Sequence, residues 1–378
     1  MITRIGFIVL GLLITNIAQG KTTVTLGLAS NFSDISTSTS NPFGNYFRDG
    51  VTLALEDSKS RLNGLGIKIN TKEFDYQTST TKASKAASDA AASDAVAVVG
   101  YNWSSHALIA APIHQQARLP MISPSATADR LGTMGAYVHV ACFNNSFMAA
   151  GLARVAVDRL KAKTAAIVVT TDCAYCQDLA INFRREFERK GGRIVAEVSV
   201  LGTDKNFSDA AKTIKSANPD VVLVPNQELV SARIIASILD TSLRRPFLGG
   251  DGWGDVGDQF FQILNGRPLE GFSVSHWHPE INDKKVMKFS DGYKKRFGKI
   301  PNDTSVLAYD ATKIFVEALI NAKTKDREGV EEALNHLAVF EGVTGHFQFT
   351  KGQAPLKSII LLKTGPKRFE VAGKIYPK

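Results

Sequence analysis

Short apolar runs alternate with longer amphipathic segments along most of the chain. Residues 95–99 and 165–169 are apolar without interruption. Runs of this length are typical of strands buried on both faces of a parallel sheet. Over residues 45–62 the apolar positions instead fall at helical spacing, and Asn63-Gly64 is a signal for the end of that helix. The pattern therefore predicts strands that alternate with helices.

The same periodicities give the other predicted elements. The predicted strands are 23–29, 67–74, 95–99, 119–123, 165–170, 193–200, 220–224 and 246–248, with further strands between 340 and 363. The predicted helices are 45–62, 80–93, 178–190, 207–217, 229–239 and 303–322. Another helix follows Ser104, and Pro112 should kink or split it. This order predicts an α/β fold built on open, doubly wound parallel sheets.

The length of the chain predicts two lobes. The chain has 378 residues, of which 44% are hydrophobic and 21% charged. That is too long for one ordinary core and fits two domains of about 150–190 residues. The strand and helix pattern runs through residues 131–145 without a long flexible linker. Two lobes should therefore be joined by tight crossovers.

Residues 1–20 differ from the rest of the chain. Arg4 precedes an uncharged apolar run over 5–14, and Ala18 and Gly20 occupy the small-residue positions expected before a cleavage point. A run of about ten apolar residues is short for a membrane span, which needs about twenty. We therefore expect residues 1–20 to be a cleaved secretion signal.

The charge of the chain does not indicate a nucleic-acid-binding protein. The formal net charge is +9 at pH 7. Basic residues such as Arg184, Arg185 and Lys294 fall on predicted helices with acidic residues among them. No basic stripe is interleaved with aromatic residues, which is the pattern that nucleic-acid binding would need. We expect a solvated basic surface instead.

Hydroxyl residues follow two of the predicted strands. In open α/β sheets, ligands bind beyond the carboxyl ends of the strands. Ser104 follows strand 95–99 and is placed to cap the next helix, where free N–H groups favour a carboxylate or phosphate. Ser125 and Thr127 follow strand 119–123 and could reach the same space. The alternatives are an ordinary helix cap and a hydroxyl-rich turn.

Asp251 follows the predicted strand 246–248 and stands among four glycines. The glycines let the backbone approach a ligand closely and direct the carboxylate towards it, although a solvated turn aspartate has the same pattern. Their spacing is not that of a dinucleotide-binding loop. We predict no cofactor.

The sequence predicts no metal site and no catalytic residue. His276 and His278 flank Trp277 on a predicted strand, but no third ligand stands at metal-binding spacing. We interpret both histidines as surface or core-edge residues. The chain also lacks a serine nucleophile elbow and a phosphate-binding loop.

The three cysteines leave one alternative open. Cys173 and Cys176 form a CxxC motif between a predicted strand and a helix, the context of a thiol–disulfide oxidoreductase. A local disulfide or unreactive thiols give the same spacing, and no other part of the chain reads as a thioredoxin unit. With Cys142 the count is odd, so at least one thiol should remain free or buried.

The chain resembles the type I periplasmic binding proteins of the leucine/isoleucine/valine-binding class, the solute receptors of ABC importers. The resemblance spans about residues 23–369, and its clearest marks are 100–105, 121–127, 204–211 and 247–254. It implies a monomer in the periplasm that binds an amino acid or a related small molecule by hinge closure, catalyses no reaction and delivers the ligand to an inner-membrane permease. A periplasmic sensor for a signalling receptor remains an alternative.

The resemblance also implies the domain limits. Lobe one would comprise residues 22–142 and 274–353, and lobe two residues 143–273 and 354–378. The lobes would be joined by a hinge of three crossovers, as in a Venus flytrap.

The family's binding residues match positions in both lobes. The resemblance implies that Ser104 and Thr127 hold the ligand's α-carboxylate, and that the carbonyl of Ser125 and the carboxylate of Asp251 take its α-ammonium. Tyr175 would contribute from the second lobe. Opposed charges of this kind suit a zwitterion.

Four positions depart from the family pattern or vary its pocket. Asp251 replaces the family's usual glutamate and is one methylene shorter. Gln227 stands where a second tyrosine is usual and makes the pocket more polar, and Trp103 stands where many members have a disulfide cysteine. Phe43, in a Ser/Thr-rich loop, is the aromatic residue expected over the ligand's side chain.

Overall fold

The computed structural model describes residues 22–33, 41–254, 259–350 and 352–377. The predicted secretion signal and most of the loop before Asn41 lie outside these residues. Among the described residues, no helix is both long enough and apolar enough for a membrane span. The fold is α/β with two lobes, as the periodicities predict, and each lobe is built on a central sheet.

The first lobe begins with alternating strands and helices. These elements are β1 (Thr22–Ser30), α1 (Pro42–Gly64), β2 (Ile67–Asp75), α2 (Thr80–Ala91), β3 (Ala95–Val99), α3 (Ser104–Gln116), β4 (Met121–Ser123) and β5 (Val138–Val140). The strands form one parallel sheet in the order β2-β1-β3-β4-β5. Its central strands are buried, as their apolar composition requires.

The second lobe follows the same plan. Its elements are α4 (Asn145–Arg154), β6 (Thr164–Thr170), α5 (Ala174–Arg189), β7 (Arg193–Val200), α6 (Ser208–Ala217), β8 (Val221–Leu223), α7 (Glu228–Asp240), β9 (Phe247–Leu248), α8 (Gln259–Leu264) and β10 (Gly271–Ser275). The five strands are parallel and run in the order β10-β9-β8-β6-β7.

The rest of the chain returns to the first lobe and then ends in the second. Its elements are α9 (Lys284–Phe297), α10 (Asp303–Asn321), α11 (Arg327–His336), β11 (Val339–Gly342), β12 (Gly345–Gln348), β13 (Ile359–Thr364) and β14 (Phe369–Ile375). Helix α10 packs against α1, whereas β13 and β14 extend the second sheet as antiparallel strands. The chain thus passes between the lobes three times, after β5, after β10 and before β13. The exact lobe limits stay a prediction.

Two helices begin three or four residues earlier than the sequence predicts, and both differences affect site residues. Helix α1 begins at Pro42 because Asn41 Oδ1 accepts a hydrogen bond from Phe43 N at 2.9 Å. Phe43 therefore lies in the first helical turn and not in a loop. Helix α5 begins at Ala174 because Cys173 Sγ accepts from Cys176 N at 3.2 Å.

One of the two alternatives predicted at Pro112 is wrong, and so is one predicted strand. Helix α3 runs through Pro112 without a split, because proline removes one hydrogen bond while the flanking bonds hold the helix; a kink there stays a prediction. His276 and His278 do not lie on a strand, since β10 ends at Ser275. They begin the segment that carries the chain back to the first lobe.

Candidate functional site: the cleft between the lobes

A polar cavity lies in the cleft between the two lobes. Its volume is about 30 Å³. The first lobe and its returning helices supply one side of the lining: Asn102, Trp103, Ser104, Ser125, Thr127, Asp303 and Leu307. The other side comes from the second lobe and the crossing after β10: Tyr175, Gln227, Asp251, Gly252 and His276. Seven of the eight predicted site residues are therefore brought together.

The eighth predicted residue, Phe43, does not line the cavity. Its ring makes an edge-to-face contact with the ring of Trp103, with the centroids 5.7 Å apart. Trp103 in turn lines the cavity. Phe43, on the first turn of α1, therefore contacts the wall of the site through Trp103.

Ser104 is the first residue of α3 and is not its cap. The cap position belongs to Trp103, whose side chain makes no capping hydrogen bond. The first N–H groups of a helix have no partner within the helix, so this end of α3 can still receive an anion. Ser104 Oγ instead accepts from Ala128 N at 3.2 Å, which holds the loop after β4 against the start of α3.

The two loops of the first lobe are joined by further short contacts. Ser125 Oγ donates to the carbonyl of Asn102 at 2.8 Å, and Thr127 is 2% exposed. Glycine is required at position 100, where the first of these loops begins, because its φ is +145° and a Cβ there would overlap the carbonyl of Ala29. The predicted hydroxyl residues thus form one rigid surface.

Tyr175 and the glycine-rich loop form the facing surface. Gly252 N donates to the hydroxyl of Tyr175 at 3.2 Å. A Cβ at Gly250 would overlap that hydroxyl, so glycine is required for the approach. Trp253 Nε1 donates to the carbonyl of Val224 at 2.9 Å and anchors the loop in the core of the lobe. Asp251 is held between these fixed points.

His276 is a site residue that the sequence analysis missed. Its side chain is 2% exposed, its Nε2 lies 3.0 Å from Oδ2 of Asp251, and its ring stacks on Phe143 at a centroid distance of 3.9 Å. Burial lowers the pKa of His276, against the opposing effect of Asp251. At neutral pH the ring is therefore neutral, and the contact with the carboxylate assigns its proton to Nε2.

Asp303 is the second residue that sequence reasoning missed. It is 7% exposed, stands at the start of α10, and accepts from Ser275 Oγ at 2.9 Å. Burial and, to a smaller extent, Asp251 raise the pKa of Asp303 to about 7, against the opposing effects of Ser275 and Lys357. In the sequence this position reads only as an acidic residue near a helix start, which is common on protein surfaces.

His276 could have been identified from the sequence by its position directly after a strand. It directly follows β10, and the same rule identified Ser104 and Asp251. No comparable signal exists for Asp303. It reaches the cavity only because α10 returns to the first lobe.

Of the alternatives for the CxxC motif, the structure contains the local disulfide. Cys173 and Cys176 are bonded to each other, and Cys142 is free and buried. The prediction that one thiol remains free or buried is confirmed. Cys176 is fully buried, so one sulfur of the pair is out of reach of a substrate. The disulfide brackets Tyr175 at the start of α5 and has an evident structural role.

The lobes also contact each other beside the cavity. Asp129 of the first lobe accepts from Ser146 N at 3.0 Å and from Asn182 Nδ2 at 2.8 Å, both in the second lobe. Asp129 N donates to the carboxylate of Asp178 at 3.0 Å. Burial raises the pKa of Asp178, and its hydrogen bond from Asp129 N opposes that shift. These contacts join the two lobes beside the cavity.

Comparison with known proteins gives matches over nearly the whole chain. The family model described as periplasmic binding protein matches residues 23–361. A leucine-, isoleucine-, valine-, threonine- and alanine-binding protein of Pseudomonas aeruginosa is 23% identical over 309 residues, which are 81% of this chain and 81% of that relative.

Solved structures show the same fold. A leucine-binding protein from Thermotoga maritima superposes with a TM-score of 0.85 at 24% identity, over 94% of this chain and 99% of that chain. A solute-binding protein from R. palustris, solved in complex with benzoate, has a TM-score of 0.81 at 19% identity, over 94% and 97% of the two chains. Proteins of this fold thus bind chemically different ligands.

Proposed function

The chain belongs to the periplasmic binding protein family, and on that premise we propose that it captures an amino acid or a similar small molecule in the periplasm for an ABC importer. We further propose that it acts as a monomer, delivers the ligand to an inner-membrane permease and catalyses no reaction. The relatives are binding proteins, which supports this view.

One observation carries the proposal. Hydroxyl and backbone N–H donors of the first lobe lie across the cleft from the carboxylate of Asp251 in the second lobe. Donors at Ser104, Thr127 and the start of α3 suit the α-carboxylate of an amino acid. Asp251 suits its α-ammonium, because a buried charge needs an opposite partner. A zwitterion satisfies both sides at once.

The position of the cavity between the lobes supports a hinge mechanism. Residues of both lobes line it, so a ligand held there contacts both lobes. In our proposal the ligand binds one lobe, and the other lobe closes over it. The ligand favours the closed form by the contacts that it makes only there.

A thermal-shift screen of the chain from residue 21 onwards tests the proposal. The panel comprises amino acids, amides, urea and aromatic acids. We expect an amino acid or a small amide to raise the Tm in a concentration-dependent way, by mass action, and to bind with 1:1 stoichiometry in calorimetry. Asp251→Ala should abolish the shift, whereas Asp291→Asn on an exposed face of α9 should leave it unchanged. A shift with benzoate and none with any amino acid or amide would overturn the proposal.

A further inference from the structure

The cavity is more acidic than an amino-acid zwitterion requires. Two carboxylates, Asp251 and Asp303, line it, and no lysine or arginine is among the described residues of the lining. In the proposed function the α-ammonium pairs with Asp251, and the α-carboxylate pairs with the hydroxyl and N–H donors of the first lobe. The carboxyl group of Asp303 then still lacks a ligand partner.

The described protein groups around Asp303 compensate little of the negative charge of its carboxylate. Its Oδ2 accepts one hydrogen bond, from the hydroxyl of Ser275. The buried cation Lys357 lowers the pKa of Asp303, but its Nζ donates to Thr344 Oγ1 at 2.6 Å and lies over the ring of Phe347 at 4.4 Å. Within the part of the chain that the structure describes, Lys357 makes no ion pair with Asp303. A buried carboxylate with so little compensation is unfavourable until a donor reaches it.

Two residues that line the same space carry further acceptor atoms. Asn102 is 6% exposed and lines the cavity; its Nδ2 donates to Ser30 Oγ at 2.9 Å, while its Oδ1 has no partner among the described residues. Oδ1 of Asp251 is likewise buried without a partner in the described chain. Trp103 and Leu307 are the large apolar side chains of the described lining. The wall therefore offers more acceptors than an aliphatic ligand can satisfy.

We propose that the ligand carries a second nitrogen donor, an ammonium or a primary amide on a short side chain, and that Asp303 accepts a hydrogen bond from it. This inference rests on the proposed function and specifies its ligand class. A branched aliphatic side chain would leave the carboxyl group of Asp303 desolvated with no partner beyond Ser275, which is unfavourable by several-fold in affinity or more. A nitrogen donor makes a charge-assisted hydrogen bond there instead.

Calorimetry with ligands of similar size but different chemistry tests this inference. The ligands are L-2,4-diaminobutyrate, L-asparagine and L-leucine; the first two carry the nitrogen donor, and L-leucine is the near-isosteric aliphatic control. We expect at least one nitrogen-bearing ligand to bind the natural chain tenfold or more tightly than L-leucine. If diaminobutyrate binds most tightly, the natural ligand carries an ammonium group. If asparagine binds most tightly, the natural ligand carries an amide.

Variants of Asp303 separate its role from a general effect on the site. Asp303→Leu should weaken the nitrogen-bearing ligand tenfold or more and strengthen L-leucine. Asp303→Asn removes the charge at constant shape; it should weaken diaminobutyrate more than asparagine, and it provides the test if the leucine variant does not fold. Asp291→Asn, on an exposed helix face, is the control and should change none of the affinities.

The outcomes distinguish this inference from the proposed function. If L-leucine binds the natural chain as tightly as both nitrogen-bearing ligands, the second donor is refuted, and the amino-acid-binding function stands. If affinities for all three ligands are unaffected by both Asp303 variants, the role of Asp303 is refuted. If no amino acid or amide binds at all, the proposed function fails, and this inference fails with it.

Discussion

Nε2 of His276 lies 3.0 Å from Oδ2 of Asp251, and the same ring stacks on Phe143. Phe143 follows β5, where the chain first leaves the first lobe, and His276 follows β10, where it first returns. Two of the three crossings are thus packed together, and one of them holds the carboxylate proposed to bind the ligand's α-ammonium. We infer that the position of Asp251 depends on the arrangement of the hinge.

The first prediction concerns His276 as a positioning residue. His276→Ala should weaken ligand binding tenfold or more, because Asp251 loses the donor that orients it. His276→Gln places a side-chain N–H near the position of Nε2 and should restore most of the affinity. Calorimetry measures both effects. His278→Gln, two residues along the chain, is the matched control. Equal losses in the alanine and glutamine variants would contradict a positioning role.

The second prediction concerns the hydroxyl groups of the first lobe. Thr127→Val keeps the shape of the side chain and removes its hydroxyl. It should weaken binding by about 1–3 kcal/mol, the usual effect of losing a hydrogen bond to a charged group. Ser104→Ala should have an effect at least as large, since it also removes the acceptor of Ala128 N. Ser88→Ala on an exposed part of α2 is the control. Unchanged affinity in both site variants would refute the assignment of the carboxylate site.

The sequence allowed much of this architecture to be predicted, because local pattern and local position determine it. The uninterrupted apolar runs of β3 and β6 indicated buried parallel strands, and both are present. Ser104, Thr127 and Asp251 were predicted because each follows a strand, and ligand sites in open α/β sheets lie at that edge.

His276 and Asp303 escaped prediction for different reasons. His276 follows β10, which pairs with the strand before Asp251, so its position after a strand could have identified it. Asp303 becomes a neighbour of Asp251 only because α10 returns to the first lobe, and no local pattern records that contact. The early starts of α1 and α5 escaped for a related reason. Their caps are the side chains of Asn41 and Cys173, and the cysteine is not among the usual capping residues.

The third prediction concerns the disulfide. Replacing both Cys173 and Cys176 by serine should lower the free energy of unfolding by about 2 kcal/mol, as expected for so short a closed loop. Ligand binding should persist in the variant, at reduced affinity, because Tyr175 is still held by Gly252 N. The natural chain should not reduce a disulfide substrate. Turnover that disappears in the double variant would favour an oxidoreductase instead.

The fourth prediction concerns the contacts that hold the lobes together. Asp129→Ala removes the acceptor shared by Ser146 N and Asn182 Nδ2. Because these hydrogen bonds cross the cleft, their loss should favour the open form and weaken ligand binding about tenfold. Small-angle scattering with ligand should show a larger radius of gyration than for the natural chain at the same ligand concentration. Asp209→Asn, on the exposed surface of α6, is the control. An unchanged affinity and radius would contradict the role of Asp129.

The last prediction uses the ionisation of Asp303. Burial raises its pKa from 3.8 to about 7. Between these values the unfolded chain has released the proton while the folded chain still holds it. The contribution of Asp303 to stability therefore falls as pH rises through this window and is lowest above pH 7. Asp303→Asn cannot ionise. In the absence of ligand, its stability relative to the natural chain should rise from pH 4 to pH 8 by at most about 4 kcal/mol.

Scanning calorimetry of both chains across this pH range measures the difference directly. Asp251 raises the pKa of Asp303 and Lys357 lowers it, so the measured difference includes the coupling of Asp303 to both groups. A stability difference that does not vary with pH would show that Asp303 does not hold its proton in the folded chain. For a ligand with an ammonium side chain, the affinity of the natural chain should also rise from pH 6 to pH 8, because the ionised carboxylate is the better acceptor. The Asp303→Asn variant should lack that rise.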